Sequence, residues 1–197
     1  MLGLTGSIGM GKSTTAKMFA DAGIPVHDAD ATVHALYTGG PLVEAIEKRF
    51  PGTTNEQGVD RKKLGSAVLG DREKITQLEK LVHPHVRAAE QDFLEANKAA
   101  DKKLVVLDIP LLFETGGEAR VDKVLVVTAP ASVQRQRVLS RSSMTEEEFE
   151  KVLARQMPDR EKRLKADFLI DTSKGMDHAR HAVQDIISTL TNPAKSS

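Results

Sequence analysis

Hydrophobic and polar positions change rhythm several times along the 197-residue chain. Residues 1–5 (Met1-Leu2-Gly3-Leu4-Thr5) are a short apolar run that predicts a strand, residues 6–11 are rich in glycine, and residues 12–22 carry Ala16, Phe19 and Ala20 at helical spacing. Pro25-Val26-His27 predicts a brief second strand ending in Asp28-Ala29-Asp30. From there to residue 100 the pattern is helical, with polar breaks at Gly39-Gly40-Pro41 and residues 51–58, and Pro84 is placed in the first turn of a helix running to about residue 100. Residues 104–109 and 123–128 are β-rich and apolar without clean alternation, as strands covered by helices on both faces require, and such strands are parallel. Residues 132–164 read as helical and charged, with Thr145-Glu146-Glu147-Glu148 as an N-cap box. A last strand at residues 167–170, a closing helix over about residues 177–190 and a frayed tail at residues 192–197 complete the chain. There is no internal repeat and no low-complexity tract. The pattern predicts an α/β protein: a five-stranded parallel sheet flanked by helices, formed by residues 1–32 and 101–197, with a helical insertion at residues 33–100.

Composition narrows the classes. A 40% hydrophobic and 28% charged chain with 14 Gly and 8 Pro is ordinary globular material, long enough for one domain with an elaboration. With no Cys, disulfide frameworks, thiolate metal sites and cysteine nucleophiles are excluded, and a reducing compartment fits. No apolar run approaches the roughly 20 residues of a membrane span, and the first residues lack the basic and apolar regions of a secretory signal, so a cytoplasmic location is expected. Basic and acidic side chains balance at 28 each, which gives nucleic acid and anionic membranes no global attraction as partners. Residues 134–165 depart locally, with nine basic against six acidic side chains. Alone, that run is a solvated helical surface; a polyanion clamp needs an independent phosphate signal.

That signal lies at the N-terminus. Gly6-Ser7-Ile8-Gly9-Met10-Gly11-Lys12-Ser13 fits G-x-x-x-x-G-K-[ST] between an apolar strand and a helix-competent stretch. The glycines let successive N–H groups turn toward a β-phosphate, the following helix presents its positive end, Lys12 reaches the β and γ oxygens, and Ser13 offers a hydroxyl to Mg²⁺. A dinucleotide fingerprint has different glycine spacing and leaves Lys12-Ser13 unexplained. Leu104 to Leu107 are four apolar residues closing on Asp108, the form of a strand that delivers a carboxylate to the Mg²⁺ shell, although an Asp at a strand end also serves as a helix cap.

A GTPase switch is excluded, because no Asp has Gly three positions on and Asn97-Lys98-Ala99-Ala100 lacks the guanine-clamp Asp. A kinase needs a carboxylate for the acceptor hydroxyl, an acceptor site and cations near the moving phosphate. Asp28 and Asp30 supply the first, either on one side of an extended chain, where repulsion raises one pKa, or splayed by a turn that caps a helix. Arg137 and Arg141 stand i, i+4 on one helix face, where both guanidinium forks reach a single anion. His27, His34, His178 and His181 show no ligand-like grouping and read as surface or packing residues.

Taken in order, Leu4-Thr5-Gly6 running into the P-loop, Asp28-Ala29-Asp30, His83-Pro84, Asp108-Ile109-Pro110-Leu111-Leu112-Phe113-Glu114, Arg137 and Arg141 with Gln156 beyond, and Ala166-Asp167-Phe168-Leu169-Ile170-Asp171 resemble the dephospho-CoA kinase family over almost the whole chain. The resemblance implies ATP-dependent phosphorylation of the ribose 3′-hydroxyl of dephospho-CoA. It implies a helical domain at about residues 33–100 that holds the coenzyme and an arginine-bearing lid at about residues 140–157. Asp30, Lys12 and Arg141 would be catalytic, with Asp30 the reacting carboxylate. ATP would contact Gly6, Ser7, Ile8, Gly9, Met10, Gly11, Lys12, Ser13, Thr14 and Arg137; Mg²⁺ would be held by Ser13 and Asp108. The acceptor would meet Asp30, His83, Arg87, Leu111 and Leu112, although His83-Pro84 also reads as a helix entry and residues 110–113 as plain core. Ser7 and Met10 depart from the family's smaller residues, and Thr172 stands where Asn is common in a loop that meets adenine. The expected partners are ATP and dephospho-CoA, with the chain monomeric or weakly homo-oligomeric. Rival readings are another small-molecule P-loop kinase, acting on a nucleoside, nucleotide or shikimate-like acceptor, and a non-catalytic ATP-binding regulator.

Overall fold

The computed structural model describes residues 1–141 and 144–192; the expected tail beyond Asn192 and residues 142 and 143 of the expected lid lie outside them. In chain order the elements begin with β1 (Leu2–Thr5), α1 (Lys12–Asp21), β2 (Val26–Asp28), α2 (Ala29–Leu36) and α3 (Pro41–Arg49). A hairpin of β3 (Thr54–Asn55) and β4 (Gly58–Val59) follows, then α4 (Arg61–Val68) and α5 (Arg72–Ala99). The chain continues with β5 (Val106–Asp108), β6 (Lys123–Thr128), α6 (Ala131–Arg141), α7 (Glu146–Leu153), α8 (Asp159–Leu164), β7 (Phe168–Asp171) and α9 (Met176–Thr191). It divides into two compact units, one of Met1–His27 with the chain from Asp101 onward, the other Asp28–Ala100. The break thus falls where β2 gives way to α2, five residues before the boundary expected from sequence.

The first unit is built on a five-stranded sheet of order β2-β5-β1-β6-β7. β1 pairs in parallel with β5 on one side and β6 on the other, and β6 with β7. The register sets Leu4 beside Asp108 and Leu125, so the carboxylate at the end of β5 neighbours the strand that feeds the P-loop. Residues 124–128 are all buried, which accounts for the missing alternation in that strand. Leu2, Leu4, Val106, Leu125, Val127 and Ile170 form the core with Phe19 of α1 and Val183 and Ile186 of α9, each such side chain contributing about 1.5–3 kcal/mol. Among the described residues no helix is long and apolar enough to cross a membrane.

The second unit packs α2, α3, α4 and α5 around Leu42, Ile46, Phe50, Leu64, Val68 and Val82. Asp28, Asp60 and Asp71 cap α2, α4 and α5 by accepting backbone N–H groups, and Pro41 opens α3. The β3–β4 hairpin went unread in the sequence because two-residue strands carry no periodicity. Gly58 has φ 108°, and a Cβ there would lie 2.1 Å from the Tyr37 carbonyl, the same oxygen that accepts the Val59 N–H.

One expectation is borne out and one corrected. The charged stretch at residues 132–164 is helical as read, running through α6, α7 and α8 among the described residues, with the Thr145–Glu148 capping box opening α7. Pro84 does not start a helix but stands inside the 28-residue α5. Asp71 caps that helix far upstream, and Leu78, Leu81, Val82 and Val86 pack its turns against the unit's core on both sides of the proline, so tertiary burial carries the helix through the missing N–H. Because Pro84 is exposed, Pro84→Ala restores a helical hydrogen bond without disturbing packing. It is expected to stabilise the protein by about 1 kcal/mol or more in denaturant unfolding; unchanged or lower stability would show that the helix is already relaxed around the ring.

Candidate active site

The P-loop joins β1 to α1, and its glycines are required by what surrounds them. Gly9 and Gly11 have φ 75° and 92°, and a Cβ on Gly6 would stand 2.4 Å from Val127 Cγ2 on β6. Ser7 and Met10, the departures from small residues, are buried; Met10 belongs to the sheet core, and its N–H donates to the Ser7 carbonyl. Ile8 is held at both peptide groups: its N–H donates to Gln156 Oε1 at 3.1 Å, and its carbonyl accepts from Gln134 Nε2 at 2.7 Å. Lys12, Ser13 and Thr14 follow in the first turn of α1, the latter two exposed.

Lys12 and Asp108 are brought together. The ammonium lies 2.5 Å from Asp108 Oδ1, with the carboxylate 1% and the lysine 16% exposed. Asp108 does not cap a helix, since turns rather than a helix follow β5.

Beside Gly11 opens a cleft of about 70 Å³ lined by Thr14, Arg137, Arg141, Thr172 and Gly175. Both arginines therefore face one cleft, but they do different things. Arg137 donates to Thr172 Oγ1 at 2.8 Å and to the Thr172 carbonyl at 2.9 Å, whereas Arg141 at the end of α6 is exposed. Thr172 in turn donates to the Met10 carbonyl at 2.8 Å, so the loop after β7 is tied to the P-loop itself. The two arginines that the sequence placed on one helix face thus line one cleft, Arg137 bonded to Thr172 and Arg141 exposed.

The Asp108-to-Glu114 segment ends in a buried charge pair unread in the sequence. Lys162 of α8, fully buried, lies 2.9 Å from Glu114 Oε1, which also accepts the Met157 N–H at 2.7 Å. Burial pulls the Glu114 carboxyl upward, but the Lys162 ammonium and the Met157 N–H outweigh it and hold it below its ordinary value of 4.5. Leu112 is fully buried, 3.0 Å from where a Gly117 Cβ would stand, so it is core and offers no acceptor wall; Leu111 is 41% exposed.

In the second unit, Asp28 and Asp30 are not on one side of an extended chain. The strand stops at Asp28, whose Oδ1 accepts the Ala31 N–H at 2.9 Å, and Asp30 sits exposed in the first helical turn of α2. One carboxylate is thereby used as a cap, and Asp30 makes no hydrogen bond or ion pair among the described residues. His83 and Arg87 are exposed and one turn apart on α5.

Residues 1–178 match the family model described as dephospho-CoA kinase. The chain belongs to the dephospho-CoA kinase family. A relative from Mesorhizobium japonicum named dephospho-CoA kinase is 60% identical over 192 residues, 96% of each chain, and one from Agrobacterium fabrum is 52% identical over 190 residues, 96% of this chain and 97% of the relative. Among solved structures, a Thermus thermophilus protein superposes with TM-score 0.83 at 35% identity, covering 97% of both chains. The dephospho-CoA kinase from Campylobacter jejuni gives TM-score 0.72 at 27% identity, covering 98% of this chain and 97% of that one. A shikimate kinase from Acinetobacter baumannii, at 18% identity and TM-score 0.51, shares the fold alone. Membership of the dephospho-CoA kinase family turns the rival reading as a shikimate-like kinase into a likeness of architecture only.

Two measurements probe this geometry. Lys12→Ala strips the cation from a nearly fully buried carboxylate, so it is expected to destabilise the protein toward the low end of roughly 3–5 kcal/mol as well as abolish turnover. Adding Asp108→Asn should return most of the stability and none of the turnover; additive destabilisation in the double variant would contradict the pairing. The depressed Glu114 value stabilises the fold fully above its ordinary 4.5, and that contribution is lost as pH falls through the lower folded value. The stability gap between the parent and Glu114→Gln, followed by urea unfolding from pH 6 to pH 3, should therefore narrow toward acid; a gap that stays constant or widens would remove the charge pair as its cause.

Proposed function

We propose that the protein transfers the γ-phosphoryl group of ATP to the ribose 3′-hydroxyl of dephospho-CoA, giving coenzyme A and ADP. What carries this reading is the match to the family over residues 1–178, joined to a P-loop whose Lys12 already faces the Asp108 carboxylate. The acceptor 3′-oxygen attacks the γ-phosphorus in line, the bond from that phosphorus to the β–γ bridging oxygen breaks, and the hydroxyl proton passes to Asp30. Asp30 is exposed and leaves the helix cap to Asp28, which supports its choice over its neighbour. Lys12 compensates charge on the β and γ oxygens, Arg141 clamps the moving phosphate, and P-loop N–H groups with Thr14 and Arg137 hold the nucleotide. His83 and Arg87 receive the acceptor, with Leu111 as an apolar contact.

Ser13 and Asp108 offer hard oxygen donors for Mg²⁺, which when bound neutralises charge on the β and γ oxygens. Among the described residues no group of three or more acidic or histidine side chains stands ready to hold a metal, which suits an ion that takes most of its shell from phosphate and water. The reading carries with it a cytoplasmic enzyme, monomeric or weakly homo-oligomeric, whose partners are ATP and dephospho-CoA and not nucleic acid or membrane.

With Mg·ATP, dephospho-CoA should be phosphorylated at the 3′ position, located by phosphorus NMR, and AMP or adenosine should react far more slowly, because contacts remote from the hydroxyl are expressed as turnover. Asp30→Asn should lower kcat by about 10²- to 10⁴-fold with ATP binding retained. A better kcat/KM with AMP or shikimate would overturn the acceptor, and near-normal turnover in Asp30→Asn would overturn the carboxylate.

A further inference from the structure

Both polar groups of Ile8 are held by glutamines from opposite ends of one segment. Gln134, 5% exposed on α6, donates to its carbonyl; Gln156, between α7 and α8, accepts from its N–H. An N–H takes only an acceptor and a carbonyl only a donor, so the orientation of both side-chain amides is dictated by the peptides they meet. The chain beyond Gln156 is fixed three more times. Met157 N–H donates to Glu114, Thr128 Oγ1 donates to Asp159 Oδ2 at 2.8 Å, and buried Lys162 pairs with Glu114. The segment that carries Arg137 and Arg141 is thus pinned to the P-loop at its start and its finish, at a single residue.

We propose that Gln134 and Gln156 are positioning residues that set the P-loop against the arginine-bearing segment, with Gln156 acting through the Ile8 N–H. Rotating that peptide breaks the Gln156 bond, and rotating the next one breaks the Gln134 bond. The Ile8 peptides of the P-loop and the helix α6 that carries Arg137 and Arg141 are therefore held in one frame. A misplacement of about 1 Å in such a frame costs on the order of 10²-fold in rate. This inference rests on reading the P-loop as the nucleotide site, but not on the identity of the acceptor.

The test compares Gln156→Met, which keeps length and loses the acceptor, with Gln156→Glu, which keeps an acceptor and adds a negative charge, and with Gln156→Ala. Amide exchange at Ile8 in the nucleotide-free protein, read by NMR against the neighbouring P-loop amides, should quicken at least about tenfold in the Met and Ala variants and stay near the parent's rate in Glu. Their kcat should fall about 10- to 100-fold with KM for ATP changed less than about threefold, whereas Glu should recover kcat and raise KM by charge repulsion. Ile8 exchange unchanged in Met, kcat within twofold of the parent, or Glu no better than Met on both readouts would overturn the role. Thermal unfolding identifies a variant that has lost its fold, in which case the Glu and parent comparison at Ile8 decides. Because exchange is read without any acceptor, failure of the dephospho-CoA assignment would appear only as an inactive parent, with the Ile8 result still standing.

Discussion

A lysine at the first turn of α1 and a carboxylate at the end of β5 stand 2.5 Å apart where the sheet meets its loops. The carboxylate is buried, and a buried charge without a counter-charge costs several kcal/mol. The lysine follows a loop whose N–H groups already gather positive potential. Pairing them satisfies both, and it does so across two adjacent parallel strands, fixing how β5 and the P-loop are registered. On the function proposed above, a nucleotide phosphate would compete with Asp108 for the same ammonium.

The remaining ties run outward from that loop. Thr172 donates to the Met10 carbonyl and receives Arg137, so its hydroxyl keeps the β7 loop attached to the P-loop. Val138 and the Gln134 backbone press so near Gly9 that any side chain there would collide with α6. Three separate parts of the chain, α6, the α7–α8 connection and the β7 loop, thus shape a loop that is itself only a few residues long.

How much of this the sequence disclosed follows from the range of the forces involved. The strand–glycine loop–helix order, the buried β6 and the Thr145–Glu148 box were legible because each is written within a few consecutive residues. Asp108 was legible as a strand-end carboxylate, but its partner was not, because register across strands decides which cation it meets. Lys162 read as one more surface charge in a basic run; its burial depends on Glu114, 48 positions earlier in the chain and unmarked by any local periodicity. Leu112 and Leu111 look alike in sequence, and only tertiary packing beneath Gly117 separates the core residue from the exposed one. Pro84 misled for the converse reason, since long-range burial on both sides overrode a strong local breaker.

The strand order β2-β5-β1-β6-β7 has a bearing on how the chain comes to be folded at all. β1 is made well before β5 and β6, and Leu2 waits for Val106 and Lys123 as its neighbours. During synthesis the glycine-rich loop therefore has no sheet to hang from until about a hundred further residues have emerged. The helices of Asp28–Ala100, a compact unit of their own, lie wholly in the stretch made before those partners. Nascent chains must keep an apolar N-terminal segment unpaired through that interval. β7 follows α6, α7 and α8 in the chain and takes the far edge of the sheet beside β6, so the sheet is completed only by a segment some 165 residues beyond its central strand.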